Sequence, residues 1–296
     1  PGGLALARAL AAGVQEAGEE AFADVDLAVC PPYVHLSGIA DVLADVPVAV
    51  GAQNVHAEEE GAYTGEISAA MLTSAGCTHV IVGHSERREA FGETDADVRA
   101  KIVQARSHGL VPILCVGETI EQRRAGNAAA VVRRQLDGAL DGVDVDTADD
   151  LIVAYEPIWA IGTGETATPE QAQEMHALIR RDLTDRFGDP AADVEILYGG
   201  SMKRHNAAGL LRQPDVTGGL VGGASLTADH FLDIAGPGVT REGTRGGAWE
   251  RTPTRLRSRP PSRLLSSAPV FPPPPLPALQ SSRPVRTPGH PGRRRL

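Results

Sequence analysis

A parallel α/β fold is what this sequence predicts, on three observations. Residues 1–235 alternate short apolar runs with longer amphipathic stretches. The runs are rich in Val, Ile and Leu with little alternation, as strands covered on both faces require. The stretches between them repeat apolar residues at helical spacing, so strand and helix take turns along the chain.

The runs are Val25–Cys30, Val46–Gly51, His79–Gly83, Val111–Val116, Leu151–Tyr155, Val194–Tyr198 and Gly219–Val221. Leu6, Leu10 and Val14 mark a helix at the start, ahead of the first run. Val98, Ile102 and Ala105 form another apolar stripe, and Gly109 follows where a C-cap is wanted. Thr168-Pro169-Glu170-Gln171 reads as N-cap, N1 proline and a capping-box glutamine. Seven strands with a helix in front leave a closed eight-stranded barrel one strand short. From pattern alone, a seven-stranded open sheet is possible.

Composition divides the chain in two. The formal charge of −10 is the sum of unlike parts. Gly238–Leu296 carries 12 Arg and no Lys against Glu242 and Glu250, a net +10, which leaves 16 basic and 36 acidic groups, or −20, on the rest. An acidic body argues against nucleic-acid binding, which needs clustered cations facing phosphates. No run of about 18 apolar residues predicts a membrane helix, and no leader-like start suggests secretion. Cys30, Cys77 and Cys115 are odd in number and widely spaced. They fit reduced thiols of a cytoplasmic protein better than a disulfide framework or a zinc site.

The domain reading is therefore residues 1–236 as one α/β unit and 237–296 as a Pro/Arg-rich tail. The tail holds Phe271-Pro272-Pro273-Pro274-Pro275-Leu276-Pro277 and no apolar periodicity. Such a segment buries too little surface to offset its chain entropy and reads as disordered. The proline run also has the composition of a polyproline II ligand, and translation out of frame would produce a similar tail.

Four segments carry chemistry. Val80–Arg88 runs a strand into His84, which could donate a hydrogen bond to a carbonyl as a neutral ring near a helix N-terminus; a structural His is the simpler alternative. Ala154–Gly164 puts Glu156 at another strand end, followed by a loop with Gly162 and Gly164. A carboxylate beside a mobile flap suits proton abstraction next to a carbonyl, although a solvated Glu in an ordinary loop has the same local pattern. Tyr198-Gly199-Gly200-Ser201 and Leu220-Val221-Gly222-Gly223-Ala224-Ser225 place glycines directly after strands, where backbone N–H groups can meet an anion. Glycine pairs also make plain turns. Strand C-terminal ends line the active site of barrels, with phosphate sites after strands seven and eight, and this favours the barrel over the open sheet.

Taken together and in order, these segments resemble the triosephosphate isomerase family. The resemblance runs from about Val25 to Ala235. It includes Cys30-Pro31-Pro32, Gly51-Ala52-Gln53-Asn54, Tyr63–Ser68, Gly83–Arg88, Cys115-Val116-Gly117-Glu118, the Glu156 loop and both Gly-Gly segments. It implies a TIM barrel lacking its first strand in this chain, plus the disordered tail, and interconversion of dihydroxyacetone phosphate and D-glyceraldehyde 3-phosphate through an enediol(ate). Glu156 would be the base and His84 the electrophile, a pairing that is also a worked example in general treatments of pKa tuning. Gly162, Ser201, Gly222 and Gly223 would hold the phosphate, with Glu86 and Cys115 as supports. Thr64, in a loop spanning 53–68, would reach a partner's site, implying a homodimer with no metal or organic cofactor.

The family's first strand ends in an Asn-x-Lys motif that Pro1–Ala12 does not contain. The expectation is a missing strand with two open sheet edges and a loss of about 10²–10³ in rate for a lost cation at developing negative charge. Glu165 stands where the resemblance expects a basic flap hinge. Thr217 stands where it expects an Asp paired with Arg180. Two other readings stay open: a phosphate-binding barrel of different chemistry, and a catalytically dead or truncated remnant that binds phosphorylated ligands or dimerises without turnover.

Overall fold

The computed structural model describes residues 2–22, 24–236 and 262–266. The expectation of a polyproline ligand in the tail falls on residues outside this set, and so does that of disorder except at 262–266, where a strand forms instead. Strands β1–β8 run Val25–Val29, Val48–Ala52, His79–Val82, Val111–Val116, Ile152–Tyr155, Glu195–Tyr198, Gly218–Val221 and Ser262–Ser266. Helices α1–α10 run Gly2–Ala17, Leu36–Leu43, Ala69–Ser74, Ser85–Phe91, Asp95–Ser107, Ile120–Arg124, Ala128–Leu140, Pro169–Phe187, Arg204–Leu211 and Ala228–Ala235. All strand pairs are parallel and in chain order, and β8 closes the sheet between β7 and β1.

The seven strands read from sequence are all present, within two residues at each end. The two open edges are not. Without β8 the strands make a curled parallel sheet; Ser262–Ser266 pairs with both edges and closes it. That strand was not legible because Ser-Arg-Leu-Leu-Ser lacks the Val/Ile-rich character of the others and sits in Pro/Arg-rich sequence.

Two apolar layers build the core. Ala28, Cys30, Ile81, Ile113, Cys115, Ile152, Ala154, Leu197 and Leu220 fill the barrel interior. A larger layer joins the outer strand faces to the helices, including Leu10 and Val14 of α1 and Val98, Ile102 and Ala105 of α5. Helix ends follow the predicted chemistry. Thr168 caps α8 with Gln171 answering as a capping box, and Gly109 takes a left-handed φ of 73° just beyond α5.

Thr217 does not leave Arg180 without a carboxylate, contrary to the expectation. Asp215, two residues upstream, stands 3.7 Å from Arg180 Nε, and Arg180 also donates to the carbonyls of Ala191 and Val194. Thr217 instead closes a local exchange with β6, accepting from Ile196 N at 2.8 Å and donating to Ile196 O.

His176 of α8 is fully buried against Tyr155 and Tyr198, with Nδ1 3.2 Å from Asp215 O. Burial outweighs the pull of Asp215, and its pKa is lowered to about 4. The unfolded chain binds a proton near the ordinary 6.5 while the folded chain does not. Stability is therefore complete above pH 6.5 and falls as pH drops toward 4, at about 1.4 kcal/mol per unit at most. Thermal melts between pH 7 and 4.5 should show this fall, and His176→Gln should flatten it. An unchanged slope in the variant would refute the assignment.

Candidate active site

The C-terminal ends of the parallel strands converge on one rim, as closure demands. Glu156 follows β5 and is 2 % exposed. Its Oε1 lies 2.9 Å from Nε2 of His84, which follows β3. Its Oε2 accepts from the backbone N–H of Ser85 at 2.9 Å. That donor is the first turn of α4, so a helix N-terminus and an imidazole together hold the carboxylate.

His84 is the N-cap of α4, and its Nδ1 accepts from Glu86 N at 3.3 Å. In the neutral ring an accepting Nδ1 carries no proton, which leaves Nε2–H to face the carboxylate. Burial opposes a charged ring, but the Glu156 carboxylate outweighs it, with a smaller push from Glu86, and His84 is raised to about 9. Helix placement alone predicts a neutral ring; in this resting arrangement the neighbouring carboxylate opposes that tendency. The Glu86 side chain itself is 70 % exposed and 3.9 Å from Nδ1, so its backbone makes the closer contact.

Cys115 lies in the barrel interior, and burial pushes its thiol far above the usual range, with Glu156 adding to the effect. It stays a neutral packing group beneath the carboxylate. Arg88 ties the neighbouring turns together, donating to Gly83 O, Asp95 and Cys115 O.

The turn carrying Glu156 is packed backbone to backbone. A Cβ on Gly117 would lie 1.7 Å from Glu156 O, and one on Gly199 would lie 2.9 Å from Glu156 Cγ. Gln135 holds Gly117 from both sides, accepting from its N–H and donating to its carbonyl.

Past Glu156 the chain makes a short turn at Ile158–Ala160 and then a loop whose residues 162–166 are exposed. Gly162 and Gly164 take φ of 67° and 85°, values L side chains rarely adopt. Ser201 N donates to Ala160 O at 3.0 Å, joining the loop base to the segment after β6. Ideal Cβ atoms on Gly162, Gly222 and Gly223 meet nothing within 4 Å, so each faces open space.

Glu118 was quoted in a motif but given no role by sequence reasoning. It is fully buried and accepts from Tyr155 Oη at 3.0 Å, Trp159 Nε1 at 2.9 Å and Arg123 Nη1 at 3.2 Å. Its carbonyl also accepts from Ile158 N. This anchors the loop's first turn from a different strand end. A Glu two residues past the apolar run Val111–Val116 was the available signal. Trp159→Phe removes one donor from a buried carboxylate, which should cost about 1–3 kcal/mol. Melting temperature should drop and proteolysis within 157–167 should speed up; neither change would mean that Glu118 does not hold the loop.

Thr64 is exposed at the tip of the loop after β2. The loop is held by Glu66 N on Tyr63 O, by His56 N on Ile67 O, and by Tyr63 tilted against His56 at 4.3 Å. Its base is fixed by Gln53 on Cys30 O and by Tyr33 Oη on Asn54 O. Thr64 is not brought to this chain's own carboxylate–imidazole pair by any described contact.

A closed parallel barrel with a buried carboxylate–imidazole pair and open glycine turns at one rim is the arrangement of a barrel enzyme that moves protons on a small anionic substrate. The family profile described as Triosephosphate isomerase matches residues 2–237. Among its relatives, triosephosphate isomerase of Halorhodospira halophila is 54 % identical over 222 residues, covering 75 % of this chain and 89 % of the relative. That of Chloroflexus aurantiacus is 51 % identical over 230 residues, covering 77 % and 90 %. The crystal structure of triosephosphate isomerase from Bartonella henselae superposes with a TM-score of 0.70 at 44 % identity, covering 78 % of this chain and 90 % of that one. The chain belongs to the triosephosphate isomerase family.

Proposed function

We propose that Glu156 and His84 carry the interconversion of dihydroxyacetone phosphate and D-glyceraldehyde 3-phosphate in this chain. The isomerase activity follows from family membership; the division of labour is our reading. Glu156 takes a proton from carbon 1 of the ketose and returns it at carbon 2. His84 donates from Nε2 to the carbonyl oxygen as charge develops and moves protons between the two oxygens of the enediol(ate).

The observation that carries this reading is the 2.9 Å contact of Glu156 with both His84 Nε2 and Ser85 N. The carboxylate rests on these donors and must leave them to reach a substrate carbon. Gly162, Ser201, Gly222 and Gly223 supply backbone or hydroxyl donors to the phosphate, favoured by the open space at three of them. Closure of loop 157–167 excludes water from the enediolate. Glu86 and Cys115 support the pair, the first through its N–H and the second by packing.

The chain works as a homodimer in this reading. Its support is the exposure of Tyr63 within the Thr64 loop and of Tyr33, which bonds Asn54 at the loop's base. The reading places it in the cytoplasm, where three buried free thiols stay reduced; among the described residues no helix is long and apolar enough to cross a membrane. No cofactor enters the proposed steps, nucleic acid plays no part, and residues 1–236 form the catalytic unit.

The test is conversion of glyceraldehyde 3-phosphate by the purified full chain, with His84→Gln alongside. Turnover that His84→Gln lowers by about 10² or more, at unchanged melting temperature, is the expected result. A folded chain without turnover, or a fully active variant, would overturn the assignment. Sedimentation at micromolar concentration should give a dimer, and a monomer would remove the role proposed for Thr64.

A further inference from the structure

We propose that Gln135 is a positioning residue for the Glu156 carboxylate, its side-chain amide taking the place that strand β3 vacates beside the end of β4. The link to catalysis rests on the role given to Glu156 above; the amide's substitution for a strand does not.

Pairing between β3 and β4 stops at Val82↔Leu114. There the chain turns away at Gly83, with a φ of 67°, and brings His84 to the rim. β4 runs on and stays paired with β5 on its other side. That pairing continues past both strands, with Glu156 N donating to Val116 O at 2.8 Å and Ile158 N to Glu118 O at 3.1 Å. Backbone groups of an extended chain alternate between its two neighbours, so Cys115 and Gly117 face the side that β3 has left.

Side chains fill that edge. Arg88 donates to Cys115 O at 3.3 Å. Gln135 accepts from Gly117 N at 2.8 Å and donates to Gly117 O at 3.1 Å. Among the described residues no backbone group bonds Gly117 N or O. A carboxamide carries the donor and acceptor of a peptide group, so one residue supplies what a strand neighbour would.

The surroundings of Gln135 give it no other task. It lies in α7 among buried Val131, Val132, Leu136 and Ala139. Burying an amide without partners is costly, and both bonds that offset its burial go to Gly117. Gly117 in turn lies against Glu156. A Cβ there would be 1.7 Å from Glu156 O, so the two backbones touch with no side chain between them. Moving Gly117 moves the peptide that carries the carboxylate. A displacement of about 1 Å at a reacting group costs about 10² in rate.

Gln135→Met keeps the length of the side chain and removes both bonds. Gln173→Met is the control. Gln173 also makes two bonds to one residue, donating to the Asp215 carboxylate at 2.6 Å and accepting from its N–H at 3.0 Å, but near the N-terminal end of β7. Both variants should melt lower. Only Gln135→Met should lower kcat, by about 10- to 100-fold with KM within about twofold. It alone should also bring the His84 titration below about 9, read by imidazole NMR, as the carboxylate shifts from Nε2. Equal kcat in the two variants, or an unchanged His84 titration, would overturn the proposal and leave the role of Glu156 standing. Should Gln135→Met not fold, wild-type amide exchange decides. Gly117 N–H should exchange as slowly as Glu156 N–H; exchange as fast as in the exposed stretch 162–166 would sink the clamp. If the wild-type chain shows no turnover, the catalytic reading falls, and the His84 titration still tells whether Gln135 holds the carboxylate.

Discussion

Glu156→Gln should lower kcat by about 10²–10⁴, the range expected when a positioned general base is removed. The amide keeps the shape of the side chain and can still accept from Ser85 N, which reaches Oε2 at 2.9 Å. Melting temperature should therefore change little, which separates chemistry from folding. A second readout comes from His84. Burial lowers its pKa, and the value of about 9 rests on the Glu156 charge that outweighs that burial, with Glu86 contributing less. Without the Glu156 charge, burial prevails and His84 should titrate well below 9. Imidazole NMR of the two proteins measures this directly. A His84 that still titrates near 9 in the variant would show that another group sets its charge, and near-normal kcat would remove Glu156 from the mechanism.

Gly117→Ala should be the most damaging methyl among the described glycines. Its Cβ would sit 1.7 Å from the carbonyl oxygen of Glu156 and 2.6 Å from the carbonyl carbon. These are backbone atoms of an adjacent strand end, so no rotamer change relieves the clash. The barrel turn must open, which should cost more than about 4 kcal/mol. For a chain of this size that is a fall in melting temperature of roughly 10 °C or more, accompanied by loss of activity because Glu156 moves. Gly209→Ala is the control, since its Cβ meets only Pro169 Cγ at 3.5 Å; in helix α9 it should leave melting temperature equal or higher. Matching melts for the two variants would show that the turn at Gly117 is softer than its packing implies.

The contrast between these two glycines shows where sequence reading stops. Both are single Gly residues inside regular sequence, and nothing in their neighbours separates a helix surface from a backbone crossing. The strands themselves were legible because a doubly covered parallel strand leaves a continuous Val/Ile/Leu run, as in Val111–Val116 and Ile152–Tyr155. The caps at Thr168 and Gly109 were legible because they are local hydrogen-bond and φ requirements. His84 and Glu156 were singled out because each ends such a run.

What the sequence by itself determined is the order of strands and helices, the ends at which His84, Glu156 and the Gly-Gly turns sit, and the acidic body with its basic tail. These depend on residues close in the chain, through period, capping and composition. Only the tertiary structure decided that Glu156 rests on His84 and Ser85 N, that buried Glu118 gathers Tyr155, Trp159 and Arg123, and that Asp215 answers Arg180. It also decided that Ser262–Ser266 closes the barrel. Each joins residues far apart in the chain, and a contact at a distance is set by how the whole sheet curls, which no local pattern records.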